Sequence, residues 1–357
     1  MEDVDLSRAF WRGRRTLVTG ITGFKGSWLA MWLSELRATV VGYSLPPPTQ
    51  PSLFVAAGLA SRVDWIEGDV RDRDKLARAV EEAQPEILFH LAAQPLVRES
   101  YERPIETFET NVLGTVHLLD AARSQSSVRA VVVVTTDKCY ENREWPWPYR
   151  EDDALGGHDP YSCSKACTEI ATSGYYRSFC KARGMGVATV RAGNVVGGGD
   201  WARDRLLPDF VRALASGTSA LVRNPASVRP WQHVLEPLHG YLALAERLAT
   251  RSGEFSEAWN FGPNAESVRP VSELADTVCS LWGGGARWHS APSLQPHEAA
   301  LLALDASKAR ARLGWRPRLG LDDCLRWTVD WYKAFQAGAE AGGLSIDQIC
   351  RYEEMRS

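Results

Sequence analysis

Arg15-Thr-Leu-Val-Thr-Gly20-Ile-Thr-Gly23-Phe-Lys-Gly26 decides the fold of this chain. Its first five residues are a short apolar run suited to a buried strand. Three glycines follow at Gly20, Gly23 and Gly26, and Leu29, Trp32, Leu33 and Leu36 then recur at helical spacing. Strand, glycine turn and helix in this order open a dinucleotide-binding unit. Glycine there permits positive φ and lets backbone amides approach a pyrophosphate, which sits on the positive end of the helix.

Working outward, apolar runs at 16–19, 39–43, 62–66, 87–91, 130–135 and 187–191 alternate with helical patterns. A continuous run such as Val131-Val-Val-Val134 suits a strand covered on both faces of a parallel sheet. The pattern predicts an α/β fold, a Rossmann-type doubly wound parallel sheet. Ligands of such sheets bind beyond the carboxyl ends of the strands. Gly20, Asp69, Ala92 with Ala93, Thr136 and Asn194 follow the first, third, fourth, fifth and sixth runs, so five strand ends are expected to share one crevice. After about residue 195 the alternation weakens, and helical stretches at 206–214 and 236–248 have no obvious partner strands. A second, smaller lobe is expected to begin there.

Composition supports a globular enzyme. The chain has 357 residues, 45% hydrophobic and 24% charged, enough to bury a large core. A net charge of −3, from 41 basic against 44 acidic residues, supplies no field that would hold nucleic acid or anionic lipid non-specifically. Neither a signal-like apolar segment nor a membrane-length apolar run is present, so a cytoplasmic protein without membrane partners is expected. Seven cysteines without a CxxC pair argue for reduced thiols, and Cys163 with Cys167 lacks the further ligands that a closed metal site needs. No metal is expected.

Tyr161-Ser-Cys-Ser-Lys165 and Thr136-Asp137-Lys138 carry the chemistry. At i, i+4 a helix places the phenol and the ammonium on one face. A fixed positive charge there lowers the phenol from its usual pKa of about 10 towards working pH, so that it can take a hydroxyl proton while hydride leaves the same carbon. Alone, Tyr-x-x-x-Lys also describes an ordinary surface helix. The glycine turn upstream favours nicotinamide chemistry.

The GxxGxxG spacing is that of the extended short-chain dehydrogenase/reductases, which the chain resembles from about residue 14 to about residue 335. Gly20 to Trp28, Tyr43-Ser-Leu45, His90 to Val97, Thr136 to Tyr140, Glu144-Trp145, Arg191 to Trp201, Arg229 to Val234, Trp259 to Gly262 and Gln295-Pro-His-Glu298 are together similar to the CDP-glucose 4,6-dehydratase family. This resemblance implies an interleaved, smaller C-terminal substrate-binding domain. Residues 1–194 would bind the dinucleotide, with 236–262 returning to that domain. Residues 195–235 and 263–357 would bind the nucleotide-diphosphate sugar, CDP-glucose. It also implies a homodimer paired through two long helices at 105–123 and 161–183.

The implied cofactor is NAD, since a 4,6-dehydratase returns its hydride within each cycle. Cofactor contacts would be Gly20, Gly23, Phe24, Lys25, Gly26, Ser44, Asp69, Val70, Leu91, Ala92, Ala93, Gln94, Tyr161 and Lys165. The second run ends in Tyr43-Ser44-Leu45 without the carboxylate that usually marks NAD. Lys25 therefore has three readings: a partner of a 2′-phosphate, a contact of substrate phosphate, or a solvated side chain. The implied catalytic set is Thr136, Asp137, Lys138, Tyr161 and Lys165. Tyr161 would deprotonate the sugar 4-hydroxyl, Lys165 would hold the phenolate and the nicotinamide ribose, and Thr136 would bond the reacting oxygen. Asp137 would protonate the departing 6-hydroxyl. Lys138 stands as the carbon-5 base, as a stabiliser of the enolate oxygen, or as a structural partner of Asp137. Asn194, Arg205, Arg229, Asn264 and His297 are the substrate candidates, the arginines because a guanidinium fork matches phosphate oxygens.

Two details depart from the family pattern. His158 stands near Tyr161 where an aromatic residue is expected, and the first helix ends Leu36-Arg-Ala38 without a glycine. A nucleotide-sugar 4-epimerase or decarboxylase, and a dehydratase for another nucleotide, share much of this set. A dinucleotide-sensing binding protein would have no reason to keep the acid and base groups.

Overall fold

The structure is a computed structural model that describes residues 4–290 and 301–355. The Gln295-Pro-His-Glu298 motif, with His297, lies outside the described residues. Seven parallel strands form the main sheet: β1 (Arg15–Thr19), β2 (Thr39–Ser44), β3 (Asp64–Glu67), β4 (Ile87–His90), β5 (Ala130–Val134), β6 (Gly186–Ala192) and, after three strands of the second lobe, β10 (Ala258–Phe261). Their order is β10-β6-β5-β4-β1-β2-β3. Chain direction across the sheet reverses at the boundary between β1 and β4, which opens the crevice. Every residue of β5 and β6 is buried, as continuous apolar runs require. The third strand starts at Asp64 rather than residue 62, because Arg62 and Val63 both donate to the Leu59 carbonyl and close a turn.

The stretch at 236–248 belongs to the helix Leu235–Thr250, which packs on β5 and β6 and buries Tyr241, Leu242, Leu244 and Leu248. It delivers the chain to β10, whose Trp259 pairs with Val190 of β6. The second lobe holds β7 (Asn194–Val196), β9 (Val228–His233) and β11 (Val268–Pro270) in the order β11-β9-β7, beside a pair formed by β8 (Ala220–Val222) and β12 (Trp288–Ser290). Leu207, Phe210, Trp231, Leu274, Val278 and Leu325 form its own apolar core. The stretch at 206–214, the helix Leu206–Ala215, does have a strand to cover: it packs on β8. The last helix, Ala341–Glu354, crosses back to the dinucleotide half, where Trp32 Nε1 donates to Glu353 at 2.8 Å.

The helix Phe24–Glu35 ends without glycine and still completes a Schellman turn. Ala38 N donates to Leu33 O and Arg37 N to Ser34 O, each at 2.9 Å, with Arg37 at φ +63. A non-glycine residue held left-handed costs roughly 1 kcal/mol. The two long helices appear as 104–124 and 160–183, each interrupted by a π turn, Glu109–Leu113 and Tyr176–Cys180. Among the described residues no helix is long and apolar enough to cross a membrane.

Candidate active site

The glycine turn is a backbone cradle. Gly20 has φ +71, and a Cβ there would fall 2.7 Å from the Ala92 nitrogen; at Gly26 it would fall 2.2 Å from Gly20 O. Gly23 caps the following helix without a side chain, so the first helical amides face the turn. These features fit a dinucleotide pyrophosphate. Phe24 opens the helix beside Gly197 of the second lobe. Ser44 closes β2, buried, and accepts from Trp65 Nε1 at 3.1 Å. Asp69 is taken up by Arg71, whose Nε and backbone N each donate at 2.9 Å; burial raises its carboxyl, but these bonds outweigh that and hold it below the usual range. The Val70 carbonyl accepts from His117 Nδ1 at 3.0 Å. Leu91, Ala92, Ala93 and Gln94 follow β4, with Ala92 N donating to Thr19 Oγ1 at 3.2 Å.

Pro160 at the first helical position and Asp159 as N-cap, accepting from Ser162 N at 2.9 Å, start the helix Pro160–Tyr175 one residue before Tyr161. Tyr161, Lys165, Thr136 and Asp137 are all buried. Lys165 Nζ donates to Val134 O at 3.2 Å, which pins it to the end of β5. Thr136 Oγ1 donates to Asp137 Oδ1 at 3.1 Å. Asp137 Oδ2 is buried with no hydrogen-bond partner. Lys138 is half-buried.

Burial moves these groups. It raises the Asp137 carboxyl against Lys138, the Thr136 bond, Arg229 and Lys25, so the acid retains its proton to higher pH. Burial and Lys25 lower Lys165 to about 8, against Glu169. The poised phenol expected from the sequence is not realised in the chain by itself. Burial lifts Tyr161 to about 12, and the cation that acts most strongly against it is Arg205 rather than Lys165. Low dielectric penalises a phenolate more than a neighbouring ammonium that is itself buried can offset.

Lys25 is half-buried. Desolvation and Arg205 bring it to about 8, with Asp137 and Asp200 opposing. Arg205 pairs with Asp200 at 2.9 Å, and the Tyr332 hydroxyl accepts from Asp200 N at 3.0 Å, so a second-lobe helix helps hold this cation. Arg229 is buried, donates to Val228 O at 3.0 Å, and acts on Asp137. Asn194 is half-buried in β7. Asn264 is exposed and accepts from Arg310 at 3.0 Å; the buried asparagine of this region is Asn260. His158 is exposed, with Nε2 3.3 Å from Asn142 O.

Several buried polar residues escaped the sequence reading. Asn111 accepts from Gln94 N and donates to Ser164 Oγ, each at 2.8 Å, joining the β4 loop to the helix Pro160–Tyr175. Glu169, on the same helix, and Arg191 form an ion pair at 2.9 Å. Glu169 falls on the face of Tyr161 and Lys165, so helical periodicity alone could have found it.

Residues 17–328 match the family model described as GDP-mannose 4,6 dehydratase. The chain belongs to this family of nucleotide-sugar 4,6-dehydratases. The CDP-glucose 4,6-dehydratase of Salmonella typhimurium is 51% identical over 97% of this chain and 98% of its own. The dTDP-glucose 4,6-dehydratase of Streptomyces antibioticus is 30% identical over 89% and 92%. Among solved structures, the dTDP-glucose 4,6-dehydratase of Streptomyces venezuelae, with NAD and TYD bound, superposes with a TM-score of 0.77 at 27% identity, covering 92% of this dehydratase and 99% of that chain. A UDP-glucose 4-epimerase of Stenotrophomonas maltophila reaches 0.79 at 24% identity, covering 91% and 100%, and shows the shared fold.

Proposed function

We propose that this dehydratase uses NAD to convert CDP-glucose to CDP-4-keto-6-deoxyglucose. The observation that carries the reading is Asp137, a buried acid whose carboxyl burial pushes above the ordinary value and which has one oxygen without a partner. It stands on the strand end that Lys165 grips. Epimerisation at carbon 4 has no hydroxyl to expel and needs no such acid. The 51% identity to the Salmonella enzyme supports cytidine as the base.

When bound, NAD supplies a hydride acceptor for carbon 4 and a donor for carbon 6. The phenolate of Tyr161, stabilised by Lys165, takes the 4-hydroxyl proton and becomes the phenol, while Thr136 hydrogen-bonds the reacting oxygen. The resulting ketone acidifies carbon 5, and Asp137 gives its proton to the 6-hydroxyl as water leaves. Lys138 acts beside it, either taking the carbon-5 proton or stabilising the enolate oxygen. Arg205, Arg229 and Lys25 are suited to the diphosphate. Asn194, Asn264 and His297 remain candidate sugar-nucleotide contacts, and the cofactor contacts are those around the glycine cradle, Ser44, Asp69 to Val70 and Leu91 to Gln94. Residues 1–194 with 236–262 form the dinucleotide half, and 195–235 with 263–357 the nucleotide-sugar half.

The test is a panel of CDP-, dTDP-, UDP- and GDP-glucose followed by mass spectrometry for loss of water. CDP-glucose is expected to react fastest. Asp137→Asn should slow water loss by about 10²–10⁴-fold while carbon-4 oxidation persists as reduced nicotinamide. Unchanged water loss in that variant would remove Asp137 from its role.

The enzyme is further proposed to be a cytoplasmic homodimer joined through the helices at 104–124 and 160–183. They leave Ile105, Leu113, Ile170 and Phe179 exposed, apolar surface that a second copy would cover. Sedimentation of Ile170→Asp as a monomer, against a wild-type dimer, is the expected result.

A further inference from the structure

The buried polar residues that the reaction leaves unused converge on Glu169. It lies one turn beyond Lys165 and two beyond Tyr161, on the same helix face, and is 4% exposed. Its Oε1 accepts from the Thr135 hydroxyl and from Arg191 Nε at 2.9 Å; its Oε2 accepts from the Thr189 hydroxyl and from Arg191 Nη2 at 2.9 Å. Arg191 donates onward to the Tyr140 hydroxyl at 2.7 Å and to Glu151 O at 3.1 Å, and the Tyr140 hydroxyl donates to Asn260 Oδ1 at 2.7 Å.

Thr135 sits between Val134, whose carbonyl receives Lys165, and Thr136, where the acid-bearing turn Asp137–Cys139 begins. Two successive residues at the end of β5 are therefore held by the two side chains that follow Tyr161 along its helix. The far end of the turn, at Tyr140, is held by the same ion pair through Arg191.

We propose that Glu169 and Arg191 are positioning residues for the reaction: through Thr135 and Tyr140 they clamp both ends of the 136–140 turn to the helix that carries Tyr161 and Lys165, and the Glu169 carboxylate, itself paired with Arg191, adds a favourable field at the Lys165 ammonium one helical turn away. This inference rests on the dehydratase reading. A buried ion pair is a poor source of net stability, since apolar side chains of similar volume often serve as well. Its value here lies in joining three segments that must stay in register for proton transfer. The charged and titratable groups around Lys165 are Lys25 from the glycine-turn helix, Cys139 from the catalytic turn, His90 from β4 and Glu169 from its own helix. Of these Glu169 is the foremost one that keeps the ammonium charged.

Thr135→Val leaves the ion pair whole and cuts its tie to the near end of the turn, together with the weaker 3.3 Å bond from the Thr135 hydroxyl to Val190 O. We expect kcat to fall about 10- to 100-fold with KM changed by less than about threefold, and Thr135→Ser to restore most of the rate. Glu169→Gln should move the alkaline limb of the kcat profile to lower pH by about half a unit or more, because Lys165 then loses its proton sooner. Wild-type kcat in Thr135→Val would overturn the clamp. An unmoved alkaline limb in a folded Glu169→Gln would overturn that field. If Glu169→Gln does not fold, the Thr135 pair of variants still decides. Absence of water loss from every sugar nucleotide with the wild-type enzyme would instead sink the dehydratase reading, whereas these variants are read relative to wild type.

Discussion

Glu169 and Glu236 are both buried, yet the protein treats them oppositely. Glu169, on the helix Pro160–Tyr175, is gripped by the Arg191 guanidinium and two hydroxyls; burial would raise it, but the charge and bonds of Arg191 hold its carboxyl below the ordinary value. Glu236, beneath the C-terminal helix, accepts from Leu319 N at 2.6 Å, Arg318 N at 2.9 Å and the Tyr352 hydroxyl at 2.7 Å. The Arg318 guanidinium turns instead to Tyr352 O and Asp5, each at 3.0 Å, and burial pushes Glu236 up to about 7. Equal burial thus goes with opposite shifts of the two carboxyls, decided by whether a guanidinium or neutral donors make the contact. Asp137 falls on the Glu236 side of this contrast, which suits an acid that must keep a proton to give away.

Arg191→Met breaks the comparison hardest, by leaving Glu169 buried without its cation. A loss of about 3–5 kcal/mol is expected, read as a lower denaturation midpoint or loss of soluble protein. A midpoint matching wild type would contradict the assigned charge state. The second effect is a pH slope. Glu236 has a folded pKa above its unfolded value, so its contribution is fully present below about pH 4.5 and is lost as pH rises through about 7, by up to about 3 kcal/mol. Glu169 has the reverse sign, its contribution being lost as pH falls. Glu236→Gln should therefore flatten stability between about pH 4.5 and 7 while leaving the acid-side decline. Urea midpoints across that range check it, and an unchanged slope counts against a near-neutral Glu236.

Tyr352→Phe sharpens the contrast by removing one neutral donor. About 1–2 kcal/mol should be lost, with the slope displaced to higher pH. The smallest change lies outside both sites: Arg37→Gly relieves the left-handed residue after the first helix and should gain up to about 1 kcal/mol in thermal denaturation. No gain there would mean that Arg37 makes compensating contacts.

The main sheet was legible because its strands are covered on both faces and read as unbroken apolar runs, Val131 to Val134 above all. The return of Trp259 to that sheet came from family resemblance, since β10 is only four residues long. The second lobe was less legible: β7, β8, β11 and β12 have three residues each, too short for periodicity to register. At the site, Tyr161 and Lys165 stood out by spacing, whereas Glu169 and Arg191 lie 22 residues apart and meet only when strand and helix pack.

Sequence alone determined the order of strands and helices, the glycine cradle, and the proximity of Tyr161 to Lys165, because each depends on local spacing along the backbone. Charge states were decided only by the tertiary structure. Whether Asp137, Tyr161, Lys165, Glu169 or Glu236 holds its proton depends on desolvation and on partners brought in from distant segments. No local pattern encodes either, because both exist only once the core has closed over them.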